Sequence, residues 1–207
     1  MASIVMPSGL PRYCPMISFD MEGDRPFLRK YLELASSPVP GERYEPEEVP
    51  KRAFLESGHK ALPDFVAIHG RLGLSPEAKA LVEEFEPGVH QFQPVEIVRA
   101  RGTQPIRRLD GRALDAPYYV FIPQAWLDAV WVERSEVRTS PTRWGPELVY
   151  PKLGGGKLVL RREAVAGHHV WRGGFHLPGR TFFSDALVRT AEVRKLRKLE
   201  CEHLEEA

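Results

Sequence analysis

The chain has 207 residues, 43% of them hydrophobic and 28% charged, with 29 Lys+Arg against 28 Asp+Glu for a net charge of +1. This supplies apolar residues for one continuous core, and no net field favours nucleic acid or an anionic membrane. No apolar run approaches the ~20 residues that span a bilayer, and Met1–Pro7 lacks a basic and then apolar leader, so the expected compartment is the cytoplasm.

Residues 1–62 differ from the rest. Prolines recur at 7, 11, 15, 26, 38, 40, 46 and 50, each fixing φ and removing a backbone donor. The segment is expected to be an extended, Pro-rich arm packed on a core formed by residues 63–207. Within it, Pro15–Asp20 reads as a short strand and Phe27–Leu34 as a short amphipathic helix. The stretch Ser36–Pro50, with Glu42, Glu45, Glu47 and Glu48, reads as a loop. Cys14 and Cys201 lie near opposite ends and share no motif; two reduced thiols are expected, with a bridge between the termini as the alternative.

A helix is well signalled after Ser75. That serine suits the N-cap, Pro76 the first helical position and Glu77 the positive helix end. Ala78, Leu81, Val82 and Phe85 share one face, and Pro87-Gly88 stops the helix. Val89–Val98 alternates like a strand but contains Pro94, which predicts an edge position or a bulge. Residues 99–116 form a connection, a candidate hairpin, and Tyr118–Ile122 is a dense β-type run. Ala125–Glu133 is open between helix and strand, since Ala125, Leu127, Ala129 and Val130 do not choose between the two periods. Further strands are expected at Glu147–Tyr150, Lys157–Leu160, His168–Trp171 and Arg180–Phe183, with Gly154-Gly155-Gly156 as a turn. Ser184 caps a second helix, and Leu199–Leu204 reads as a last strand. Helices and strands do not alternate regularly, so the expected class is α+β, a single domain with a mostly antiparallel sheet and a few short helices.

Catalytic signals are weak. Gly154-Gly155-Gly156-Lys157 lacks the first glycine and the following Ser/Thr of a phosphate loop. His168 and His169 would point to opposite faces of a strand, His176 lies well beyond, and no ligand spacing completes a metal site. No Gly-x-Ser-x-Gly elbow is present. No metal, cofactor or catalytic residue is therefore assigned; the enzyme alternative is a hydrolase-like site dispersed over His90, His169 and Asp185.

The connection over 99–116 carries Arg99, Arg101, Arg107, Arg108 and Arg112 against Asp110 and Asp115, a local +3. It lacks the interleaved aromatics that stack bases, so a solvated loop or a contact surface for an acidic partner ranks above a nucleic-acid module. Trp144, in the loop Ser140–Pro146, has the residue type of an interface hot spot.

Four segments read together resemble a known family: Leu74–Val98 (LSPEAKALVEEFEPGVHQFQPVEIV), Tyr118–Val137 (YYVFIPQAWLDAVWVERSEV), Lys157–Trp171 and Leu177–Val188 (LPGRTFFSDALV). Their order is similar to that of the eleventh family of immunity proteins of bacterial polymorphic-toxin systems, over about residues 63–207. The resemblance implies an antitoxin that binds and neutralises a cognate toxin encoded nearby, with neither catalytic residues nor a cofactor. Partner contacts are then expected outside the matching segments, at Arg101, Arg107, Arg108, Arg112 and Trp144. The oligomeric state is not legible.

Overall fold

The computed structural model describes residues 2–6, 15, 17–19, 43–56, 58–142, 145–151, 156–174, 177 and 180–207. Two main sheets organise them. The first is a closed six-stranded barrel of β2 (Ile17–Ser18), β3 (Arg52–Leu55), β5 (Phe65–Ile68), β6 (Arg71–Leu74), β7 (Gln91–Arg99) and β9 (Tyr118–Ile122), in the order β2-β3-β7-β9-β6-β5. The second is an open sheet of β10 (Trp126–Leu127), β14 (Val170–Gly173), β15 (Thr181–Ser184), β1 (Ala2–Met6), β16 (Glu200–Glu206) and β13 (Val159–Leu160), in the order β10-β14-β15-β1-β16-β13. Two small ribbons complete the strands: β4 (Ala61–Leu62) with β8 (Arg107–Arg108), and β11 (Val137–Thr142) with β12 (Gly145–Pro151). The helices are α1 (Pro76–Phe85), the single-turn α2 (Arg162–Val165) and α3 (Asp185–Val193).

The class is α+β as expected, but the strands do not form one mostly antiparallel sheet. Parallel ladders join β2 to β5, β3 to β7, β10 to β14 and β13 to β16, so both sheets are mixed. The N-terminal segment is also more than an arm on a finished core. β1 lies inside the open sheet between β15 and β16, and β2 and β3 are staves of the barrel. Tyr44 and Val49, from the stretch read as an acidic loop, are buried in the barrel cluster. The helix expected at Phe27–Leu34 lies outside the described residues, as do Cys14, Trp144 and His176.

Strand alternation sorts the side chains into three cores. Along β9, Tyr118, Val120 and Ile122 fill the barrel while Phe121 points out of it. Phe65 and Leu74 also face outward, and with Phe121 they meet the apolar faces of α1 and α3 and Val5, Val170 and Phe183 of the open sheet. The two helices thus sit in a core shared by barrel and sheet. The opposite face of the open sheet buries Ile4, Trp171, Phe182 and Leu204, with Trp171 and Phe182 stacked at a 5.5 Å centroid separation.

Local signals explain the boundaries. Ser75 Oγ accepts from Ala78 N–H and Ser184 Oγ from Leu187 N–H, one cap for each longer helix. Pro94 pairs with Tyr119 of β9, while β3 runs beside β7 only over residues 96–99. Glu96 N–H donates to Lys51 O on the β3 side, and residue 94 faces the same way, one step beyond the end of β3. The proline therefore occupies a local edge, where its missing donor costs no ladder bond.

Gly73 faces the barrel interior. A Cβ there would lie 2.5 Å from Ile68 Cδ1 and 2.8 Å from Val66 Cγ2, closer than packed carbons approach. Gly73→Val is expected to cost about 1–3 kcal/mol through overpacking, measured by urea denaturation. A loss under about 0.5 kcal/mol would show slack in the barrel interior that this packing does not have.

Candidate partner-binding surface

A strongly charged concavity forms where three chain segments meet. The first is the turn after β8, closed by Gly111 N–H donating to Arg108 O at 2.9 Å and Arg108 N–H to Arg112 O at 3.0 Å. The second contains Asp64, just before β5. The third is the loop Arg194–Lys198, between α3 and β16. They enclose a cleft of about 210 Å³. Five cations line it, Arg108, Arg112, Arg194, Lys195 and Arg197, against two carboxylates, Asp64 and Asp110; Leu62, Leu109 and Leu196 supply apolar wall.

A buried ion network fixes its floor. Asp64 is only 7% exposed. Its Oδ1 accepts from Arg108 Nη2 at 2.8 Å and from Ser75 Oγ at 2.7 Å, and its Oδ2 accepts from Arg197 N–H at 2.7 Å. Arg108, 8% exposed, also donates through Nη1 to Glu77. Burial opposes the charge on Glu77, but hydrogen bonds and attraction from Arg108 and Arg112 hold its carboxyl below the usual range. Burial likewise disfavours the Arg108 cation, and Glu77 and Asp64 more than offset it, raising its pKa. Arg112 reaches Glu77 at 3.0 Å and Asp110 at 2.6 Å.

The third wall follows the C-terminus of α3. Leu196 N–H donates to Ala191 O and Lys195 N–H to Glu192 O, each at 2.9 Å, the paired bonds of a Schellman ending. That ending needs a left-handed residue, and Lys195 supplies it at φ 57°. Glycine is the usual occupant, because a side chain is strained there. Arg194 is held by Glu84, with Nη2 at 2.9 and 2.7 Å from its two carboxylate oxygens.

Of the five residues expected to contact a partner, two line the cleft. Arg108 lies in the cleft floor, 8% exposed and paired with Asp64 and Glu77, rather than projecting into solvent. Arg112 lines the rim. Arg101 and Arg107 are exposed elsewhere on the connection, Arg107 donating to Gly111 O at 3.2 Å, and Trp144 lies outside the described residues. Arg194, Lys195 and Arg197 were not singled out from the sequence. The signal was the run Arg194-Lys195-Leu196-Arg197-Lys198, a basic segment between a helix and a strand.

The dispersed alternative, His90, His169 and Asp185, resolves into fold contacts. Glu86 accepts a bond from His90 Nε2, while His90 Nδ1 accepts from Gln124 N–H at 3.2 Å. With Nδ1 accepting, the Nε2–H of His90 faces Glu86. The same carboxylate takes the main-chain N–H groups of His169 and Val170. Burial opposes the charge on Glu86, yet these donors keep its pKa lowered. His169 Nδ1 lies 2.9 Å from Ser184 Oγ, but that oxygen is already the N-cap of α3. A nucleophilic triad needs the imidazole ring between hydroxyl and carboxylate. Here Glu86 meets His169 through its main chain. Asp185 faces Arg189 at 3.5 Å and His203 at 3.8 Å. Among the described residues, no group of three His, Cys, Asp or Glu could hold a metal ion. Cys201 is a free thiol whose pKa is pushed up to about 12, by burial first and then by Glu192. No helix among the described residues is long and apolar enough to cross a membrane.

The sequence matches the Immunity protein family (Imm11) over residues 15–205. The chain belongs to that family. The match takes in most of the Pro-rich N-terminal segment as well as the four segments that first suggested it, consistent with strands β2 and β3 being barrel staves. Among curated proteins, none matches the sequence. Proteins of the immunity family are typically non-catalytic, which accords with histidines and carboxylates committed to the fold.

Two consequences are measurable. Arg108→Ala, leaving buried Asp64 without its guanidinium and Glu77 with Arg112 alone, is expected to cost about 3–5 kcal/mol of stability in urea titrations. Arg107→Ala, on the exposed side of the same strand, should change it by less than about 0.5 kcal/mol; equal effects would contradict the division between them.

Glu86 predicts a pH signature. Its folded pKa is depressed, so its contribution is complete above the ordinary carboxylate value of 4.5 and is lost as pH falls through the lower folded value. Glu86→Gln sets an amide N–H against His90 and is expected to cost about 1–3 kcal/mol at neutral pH. The gap between wild type and variant should narrow on acidification below pH 4.5, and a gap independent of pH would show that the charge contributes nothing.

Proposed function

We propose that this protein acts in the bacterial cytoplasm as the antitoxin of a cognate toxin, which it neutralises by binding stoichiometrically rather than by catalysis. The carrying observation is the family match over residues 15–205. Toxin neutralisation is what that membership implies. The geometry supports a binder: Glu86, His90, His169 and Ser184 are absorbed by contacts that join barrel to sheet, and a charged cleft lies on the surface. A nucleic-acid module using the arginines at 99–112 is the weaker reading, because Arg108 is buried and Arg112 is paired with Asp110 and Glu77.

Co-expression of the toxin encoded by the adjacent gene tests this. Growth should be restored by this protein, and a complex of fixed stoichiometry should co-purify. Toxicity undiminished by full expression, with no complex, would remove the antitoxin reading. Protection at amounts far below those of the toxin would point to turnover and favour an enzyme.

A further inference from the structure

Resting on that antitoxin reading, we infer that the cleft between the β8 turn and the Arg194–Lys198 loop is the docking site for an acidic segment of the toxin. The cations there divide into two kinds. Arg108 is consumed by Asp64 and Glu77, and Arg194 by Glu84. Lys195 and Arg197 are exposed, and among the described residues no carboxylate pairs with either side chain. They are nevertheless held firmly, since the main chain of Arg197 is tied to Asp64 through its N–H and to Phe65 N–H through its carbonyl. Two cations carried on a tied main chain and facing a cleft, with no carboxylate partner among the described residues, form a receptor for carboxylates.

The backbone adds an independent sign. Lys195 occupies the left-handed position of the α3 ending, where glycine would fit with less strain. The lysine side chain brings a cation to the C-terminal end of α3, where the helix dipole favours one, and the same cation lines the cleft. Backbone strain kept at a concave charged surface marks a functional position.

Apolar groups adjoin the charge. Only three large hydrophobic residues are exposed among the described ones; one, Leu109 at the β8 turn, 47% exposed, lines this cleft, and another, Val193, 80% exposed, precedes the lining residue Arg194 in sequence. Apolar side chains rimmed by arginine and lysine suit a protein segment that carries both carboxylates and an aliphatic or aromatic residue. Single-stranded nucleic acid needs aromatic platforms for its bases, and the lining here is leucine, not Phe, Tyr, Trp or His.

The experiment is calorimetric titration of the toxin domain from the adjacent gene, catalytically inactivated, into wild type, the double variant Lys195→Gly/Arg197→Ser, and the single reversal Arg197→Glu. Both variants should bind at least tenfold more weakly, and the double variant's association rate should depend less on salt. Glycine relieves the left-handed strain, so the double variant should melt no lower than wild type, which separates lost binding from lost folding. The reversal changes only an exposed side chain and stands in if the double variant does not fold. A wild-type complex with both variants binding equally well overturns this site and leaves the antitoxin reading intact. Absence of both complex and protection overturns the two together. Tight binding of a single-stranded RNA oligonucleotide that the variants abolish, with toxin binding unchanged, would reassign the cleft to nucleic acid.

Discussion

A single buried carboxylate, Asp64, determines how the charged surface is built. Its two oxygens hold the side chain that precedes α1, the guanidinium that ends the β4–β8 ribbon, and the main chain of the loop after α3. These segments are 11, 44 and 133 residues away in sequence. An unpaired buried carboxylate would be too costly to retain, so the three donors are obligatory rather than incidental. The cleft is the outer consequence of that inner requirement: the segments gathered to satisfy Asp64 are the ones whose remaining side chains form its walls.

Glu86 does comparable work on the other side of α1. It joins the C-cap of that helix to His90 at the entry to β7 and to the first residues of β14 in the open sheet. Together with the core shared by α1, α3, Phe65, Phe121 and Phe183, this ties barrel and sheet at both ends of one helix. The same commitment draws two histidines and a serine into contacts of the fold. Each is spent on a donor or acceptor that would otherwise be buried without a partner.

Local chemistry was legible in the sequence where it acts over a few residues. Ser75-Pro76-Glu77 and Ser184-Asp185 marked helix starts correctly, Pro94 declared its edge position, and Tyr118–Ile122 and the last strand read as β. Barrel closure was not legible, because β2 has two residues and its closing contact with β5 is the single pair Ile17–Ile68. No period can be read from two residues. Nor does β1 reveal from Ala2–Met6 that it sits between β15 and β16, since both partners come from the last 27 residues of the chain. At the surface, the arginines of 99–116 drew attention by number, yet burial decides what a charge can do. Arg108 and Arg107 are adjacent and chemically identical, and strand alternation turns one into Asp64 and the other toward solvent.

That division of charges has a consequence for recognition. An ion pair buried within the protein stabilises or specifies a fold but presents no field to a partner, whereas a cation held by its backbone and left unpaired does. Among the described residues Lys195 and Arg197 are of the second kind: main-chain groups fix them, and no carboxylate pairs with their side chains. A flexible lysine on a mobile loop would lose conformational entropy when it bound a carboxylate. Here the ordering of the loop has already been imposed by Asp64 and by the α3 ending. A surface prepared in this way favours rapid, electrostatically guided encounter, while Leu109 and Val193 offer apolar area that would slow release. Fast capture and slow dissociation are what a protein must combine to silence a toxin before it acts.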